Sequence, residues 1–372
     1  MPGKLYVATR KGLFTVVDDG GWRIARVDFL GDNCSTVLPT AGGETVFAAL
    51  DHGHFGVKLQ RSNDAGESWE EIEAPAYPPK KEGDEDWADM HGRAIPHSLE
   101  LIWCLEADHP SRPGGIWCGT IPGGLFYSPD HGDAWQLVEG LWNHPLRRRW
   151  FGGGMDYPGI HSVCLAPGDA NCVRIAVSCG GVWVSNDAGR NWTCDGEGWR
   201  AEFMPPDQVN DPAIQDVHRL QVCPASPEVL WAQHHNGIFR STDGGARWTE
   251  LRDVPPSAFG FACAVHPEDP NTAWFVPEIK DERRVPVDGR LVVNRTRDGG
   301  KTFETLHRGL PQEHAYDLVY RHGLDVAGNG ELLAMGSTTG SLFISENGGD
   351  DWLCISTHLP PVYAVRFVPD DG

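Results

Sequence analysis

Three histidines open near-identical text: His97 in HSLEL, His161 in HSVCL and His218 in HRLQV. Imidazoles that recur at equivalent places in a repeating chain can converge on one ion, and packing alone gives no reason to align them. His235 adds a fourth, with His234 beside it in AQHHNG. Together His97, His161, His218 and His235 read as a ligand set for a transition metal (Zn, Fe, Cu or Mn) with a coordination position left for a reactant such as water or O₂. Glu278, Asp216, Asp156 and Tyr316 are the candidate proton carriers and catalytic groups, and Arg10, His52, His54, His234 and Lys280 the candidate substrate contacts. No local ligand motif such as HExxH supports the set. The plainer role for each histidine is to cap a backbone group at a strand end.

What could align them is a repeat. Ser62/Asp64/Gly66/Trp69, Ser128/Asp130/Gly132/Trp135, Ser185/Asp187/Gly189/Trp192 and Ser241/Asp243/Gly245/Trp248 all spell Ser-x-Asp-x-Gly-x-x-Trp. Thr296/Asp298/Gly300/Phe303 and Ser345/Asn347/Gly349/Trp352 are looser copies. First positions are 66, 57, 56, 55 and 49 residues apart, a period that marks a radial or stacked array. Every residue of the motif has a structural role. Gly supplies positive φ, Ser and Asp accept turn amide protons, and Trp covers the turn. Each copy lies between two strand-like runs, after two earlier ones, so a unit has four strands.

Six such units account for 34–75, 97–142, 161–196, 218–253, 260–310 and 315–358. A seventh forms when the C-terminal run at 361–368 joins the strands within 1–27, closing the ring and removing exposed edges. The expectation is one all-β domain over 1–372, a seven-bladed β-propeller. In an antiparallel blade the repeated turns lie on one face. The insertions 75–96, 143–160, 197–217 and 279–290 then fall on the other, as do the strand ends bearing the histidines. Loops of that length in a compact ring are commonly functional lids. The site is therefore expected at the mouth of the channel opposite the repeated turns, with Tyr316 and Asp317 starting the seventh inner strand. In the insertions, Arg147 to Arg149 are suited to an anionic group, and the acidic stretch 82–91 to a solvated flap.

The repeated turn resembles the Asp-box, or BNR repeat, of a β-propeller superfamily that includes sialidases, sortilin-type receptor domains and a photosystem assembly factor. Sialidase activity would imply an arginine triad, an Asp acid/base and a Tyr/Glu pair. Arg10 and Arg321 can reach the mouth, but no triad assembles, and the nearest match to the N-terminal arginine motif, WRIAR at 22–26, lacks its proline.

A net charge of −21 argues against nucleic acid or an anionic membrane as partner, and no GK[ST] follows Gly152–Gly154, so no nucleotide cofactor is expected. The ten cysteines include no CxxC pair, and MPGKLYVATRKGLF enters a strand without an apolar leader core. The expected protein is cytoplasmic, an enzyme acting on a small polar molecule at a His-rich funnel. The alternatives are a sialidase-like glycoside hydrolase using paired carboxylates such as Asp156 and Asp216, or a non-catalytic scaffold or assembly factor.

Overall fold

A computed structural model describes residues 3–80, 87–88 and 92–369; most of the acidic stretch 82–91 lies outside these. The chain forms seven antiparallel sheets in a ring. Their inner strands are, in ring order, Val362–Phe367, Asn33–Pro39, Leu101–Ala107, Ile160–Ala166, Val217–Cys223, Gly260–Val265 and Leu324–Val326. The blades are numbered one to seven in that order.

Burial follows radius. Inner and second strands such as Gly260–Val265 and Ala273–Pro277 are buried along their whole length, because blades cover both faces there. The outermost strand of blade one, Trp22–Asp28, alternates between half-buried and exposed positions, as one covered face requires. The core lies between blades: Trp117, Trp183, Trp231 and Trp274 are each at most 2 % exposed. Burying one such ring is worth about 3 kcal/mol or more.

The repeated turns share one hydrogen-bond scheme. The Gly66 amide donates to Ser62 Oγ at 2.7 Å, and the Ser68 amide to Asp64 Oδ1 at 2.8 Å. The copies at Gly132, Gly189, Gly245 and Gly300 repeat this, and Asn347 serves in place of Asp in the last. The motif glycine adopts positive φ in all six, from +86° to +100°. These hydrogen bonds hold Asp64, Asp187 and Asp298 down to about 2.

Ring closure occurs as the sequence implies: Val362–Phe367 pairs with Lys4–Thr9, in the register Leu5↔Phe367 and Val7↔Val365. Three details differ. The inner strand of blade three begins at Leu101, so His97 precedes it in a loop. The seventh inner strand is Leu324–Val326; Ala315–Arg321 is irregular, its Ala315 and Val319 packing into the blade six/seven core without pairing. Blade four is a three-stranded sheet whose outer edge is a single bridge, Val184 to Thr193. All ten cysteines are free and nine are buried.

Removing residues 361–372 leaves Lys4–Thr9 without its inner partner, and we expect no cooperative thermal transition in the shortened chain; a normal transition would show that the strand is dispensable. The depressed box aspartates contribute stability that is present above about pH 4 and lost as pH falls towards 2. Changing Asp64, Asp187 and Asp298 to Asn together, on the precedent of Asn347, should flatten acid unfolding over that range when followed by circular dichroism. An unchanged acid transition would place the sensitivity elsewhere.

Candidate functional site

A cavity of about 970 Å³ opens at the axis on the face away from the repeated turns. All seven blades contribute to it, from the starts of inner strands and the ends of second strands. Among the described residues, three of the four insertions also reach it, with Phe151 and Gly153 from one, Phe203 from the next and Arg284 from the last. The first of these is pinned by Arg147, whose buried guanidinium lies 3.8 Å from the Trp87 ring and 3.4 Å from that of Trp142. Arg149 pairs with Asp211 at 2.5 Å. Both are thus engaged in holding loops.

On the blade five side, Asp216, His218 and His235 come together, each offering a ligand atom within 4.8 Å of the others. Asp216 Oδ2 is 3.5 Å from His218 Nε2 and 3.3 Å from His235 Nδ1. Two donors bound to one ion at about 2.1 Å with angles of 90–110° stand about 3.0–3.4 Å apart, a range that includes the separation of 3.3 Å and falls just short of that of 3.5 Å. His218 Nδ1 lies 2.7 Å from the Gly260 carbonyl and can only donate to it. In the neutral ring, Nε2 therefore presents a lone pair to the carboxylate. Asp216 Oδ1 is buried and has no hydrogen-bond partner among the described residues.

Charge at this cluster is set by competition. Burial opposes ionisation of Asp216, but His218, His235 and Arg321 outweigh it and hold the carboxyl well below the usual range. Burial depresses His218, with Asp216 opposing. Burial also works against charged His235, yet the bond to Asp216 and the charges of Asp216 and Asp281 raise it.

The other histidines go elsewhere. His161 is fully buried, with Nε2 2.7 Å from the Val217 carbonyl and Nδ1 3.0 Å from Ser162 Oγ. Its ring caps a neighbouring inner strand and has no nitrogen to spare. His97 sits in the loop before blade three, Nε2 2.5 Å from the Pro78 carbonyl and its ring near those of Tyr77 and Trp142. His234 points away from the cavity, stacks on Trp199 and accepts the Asn236 amide at Nδ1. Burial lowers it to about 3.

Of the remaining expected residues, Lys280 lines the cavity, paired with Glu282 at 3.1 Å. Arg10 and His54 are exposed, His52 is half-buried, and none of the three is in the lining. Asp156 is 87 % exposed and 3.3 Å from Arg93 Nη1, outside the cavity. Tyr316, 62 % exposed, is also outside it, because its segment is not the inner strand. Its neighbours Tyr320, Arg321 and His322 take the lining position instead. Trp103, Phe259 and Phe261 give the cavity an aromatic wall that the site reading from sequence missed, although their place at inner-strand starts was the available signal.

Glu278 is 1 % exposed and does not line the cavity. Neither of its oxygens makes a hydrogen bond of good geometry, the Val319 amide being a near neighbour. Burial first, and the charge of Asp317 second, push it up to about 9. Asp317 itself accepts from Ser337 and Thr339 hydroxyls at 2.7 and 2.5 Å.

No family model matches the chain. It is weakly similar to xyloglucanases. One, an oligoxyloglucan-reducing end-specific xyloglucanase of Neosartorya fischeri named as probable, is 26 % identical over 199 residues, half of this chain and 23 % of that protein. The chain thus spans about a quarter of that relative. An ancestral GH74 enzyme superposes with a TM-score of 0.58 at 16 % identity, over 86 % of this chain and 38 % of that one. A structure of YCF48 bound to D1 peptide gives 0.52 at 12 % identity, over 95 % and 84 %. The shared property is the propeller fold.

Between its ordinary 4.5 and about 9, Glu278 is protonated in the folded chain and ionised in the unfolded one, so folding loses stability as pH rises through that window. Glu278→Gln should therefore unfold roughly 2–6 °C higher than wild type at pH 8, and at nearly the same temperature at pH 4.5. Thermal unfolding at the two pH values decides; equal differences at both would remove the titration from the explanation.

Proposed function

We propose that the protein is an enzyme of the propeller mouth that acts on a small polar molecule, with a divalent transition metal held by Asp216, His218 and His235. The observation that carries this reading is the orientation of His218. Its Nδ1 is committed to the Gly260 carbonyl, so only Nε2 faces the ionised Asp216 across 3.5 Å, joined to it by a proton when the ring is charged and by a lone pair open to a cation when it is neutral. A cation between them takes the place of that proton and also uses the separations seen to His235. A carbonyl behind a ligating imidazole is the usual way its tautomer and orientation are fixed.

Two imidazoles and one carboxylate leave coordination positions free, a donor set suited to Zn or Fe with a reactant bound. Such an ion would supply Lewis-acid polarisation. The chain's part is to hold the ligands and to exclude bulk water with Phe259, Phe261 and Phe203.

The weak similarity to xyloglucanases favours a second reading, glycoside hydrolysis by carboxylates. Asp216 would then act with Asp281 or Glu282, which also line the cavity, since Asp156 stands outside it. Aromatic walls suit sugar rings under either reading.

Protein purified without a His tag should carry about one equivalent of Zn, Fe, Cu or Mn by elemental analysis. Asp216→Asn, His218→Ala and His235→Ala should each weaken binding at least tenfold, and His161→Ala and His97→Ala should not. Failure to bind any of these ions in excess would sink the metal reading. Hydrolysis of aryl glycosides that persists after chelation would favour the second.

A further inference from the structure

The cavity contains a cation with no direct ion-pair partner among the described residues, Asp216 acting on it only at longer range. Arg321 lines it from blade seven, its guanidinium 4.9 Å from the centre of the Trp103 ring and 5.5 Å from that of Phe261. Its Nε is buried and unpartnered, and among the described residues Arg321 makes no ion pair. Burial lowers it to about 10, so it is charged at neutral pH. A buried charge is ordinarily paired or hydrogen-bonded, and stacking on aromatic faces replaces only part of the lost hydration.

The neighbouring acids are already engaged. Asp281 pairs with Arg284 at 2.5 Å, and Arg284 itself lies 5.2 Å from the Phe261 ring. Asp216 belongs to the cluster with His218 and His235. Phe261 links the two groups, since the His218 ring also stacks on it at 4.4 Å and 10°. A divalent ion on the cluster would add two positive charges against the single negative charge of Asp216, with Arg321 as a third. The balance of this end of the cavity is then strongly positive within a protein of charge −21.

We infer that the ligand of the cavity carries a bidentate oxyanion, a carboxylate or a phosphate, that seats on the guanidinium of Arg321 while the adjoining part of the molecule faces Asp216, His218 and His235. The placement beside the ion rests on the metal reading above; the pairing with Arg321 rests on its unpartnered Nε and its lack of an ion pair among the described residues. The planar fork of arginine matches both oxyanions, and a lysine does not reproduce it. Arg321 serves to bind and orient. In the seventh blade the irregular run before Leu324 is what turns it inward, where a regular inner strand would carry alternate side chains away from the channel.

The test is calorimetric titration of the metal-loaded and metal-free protein with oxalate, with inorganic phosphate and with neutral glycerol, for wild type, Arg321→Lys and Arg321→Gln. At least one oxyanion should bind wild type and glycerol should not. Arg321→Gln should weaken that binding at least tenfold and Arg321→Lys by an intermediate factor, with metal stoichiometry unchanged. Preference for oxalate assigns the carboxylate, and preference for phosphate the phosphate. Metal binding with oxyanion affinity that is absent, or equal in Arg321→Gln, overturns this inference and leaves the metal reading standing. Arg321-dependent oxyanion binding by a protein that takes up no metal does the reverse. If Arg321→Gln does not fold, as judged by thermal unfolding, the lysine variant decides alone.

Discussion

The pairing of Val362–Phe367 with Lys4–Thr9 is the constraint on which the molecule rests. A seven-bladed ring has no hydrophobic centre of its own; each blade is buried by its two neighbours. One open seam would expose the inner faces of blades one and seven and a row of unpaired amides. Closing the ring with the last strand lets the sheet order be cyclic although the chain is linear. It also fixes the axis, and so the places where inner strands start. The cavity is a consequence of that closure, because its wall is drawn from all seven blades.

Around the axis the dominant cost is the burial of polar groups. Inner strands present carbonyls to one another across blade boundaries, and several are met by imidazoles: His161 on Val217, His322 on His161 and His218 on Gly260. Most of these rings are satisfied entirely by backbone or hydroxyl partners. His218 differs because its second nitrogen meets a carboxylate. The same local sequence, a histidine opening an inner strand, thus yields a cap in one blade and a candidate ligand in the next. What separates them is the residue two places earlier, Gly159 in one case and Asp216 in the other.

That difference measures what the sequence made legible. The repeated turns were readable because their hydrogen bonds are local, running from Ser and Asp side chains to amides a few residues on. Blade number and closure followed from counting. The site face followed from antiparallel geometry and the positions of insertions. Individual site residues were less readable, since whether a nitrogen is free depends on a carbonyl from another blade, about 40–60 residues away. The run AYDLVYR alternates like a strand, yet Ala315 and Val319 pack without pairing and the true strand is the three-residue LDV at 324–326. That shift moved Tyr316 out of the mouth and left Arg321 in it, where the sequence had placed it. Trp103 and Phe261 were missed because position in a strand does not say whether a ring faces the channel or a neighbouring blade.

The bond between His218 and Gly260 has a consequence for assembly. All three members of the Asp216, His218 and His235 cluster belong to blade five, but the ring of His218 is aimed by the first residue of blade six. A nascent or detached blade five would hold the same side chains with that imidazole free to rotate. An occupant of the cluster would accordingly favour the docked pair over the separated one, and by linkage would stabilise the seam between the two blades by as much as docking sharpens its affinity. Small rotations of blade six would in turn be felt as a loosening of the cluster, making this corner of the ring a sensor of its own register.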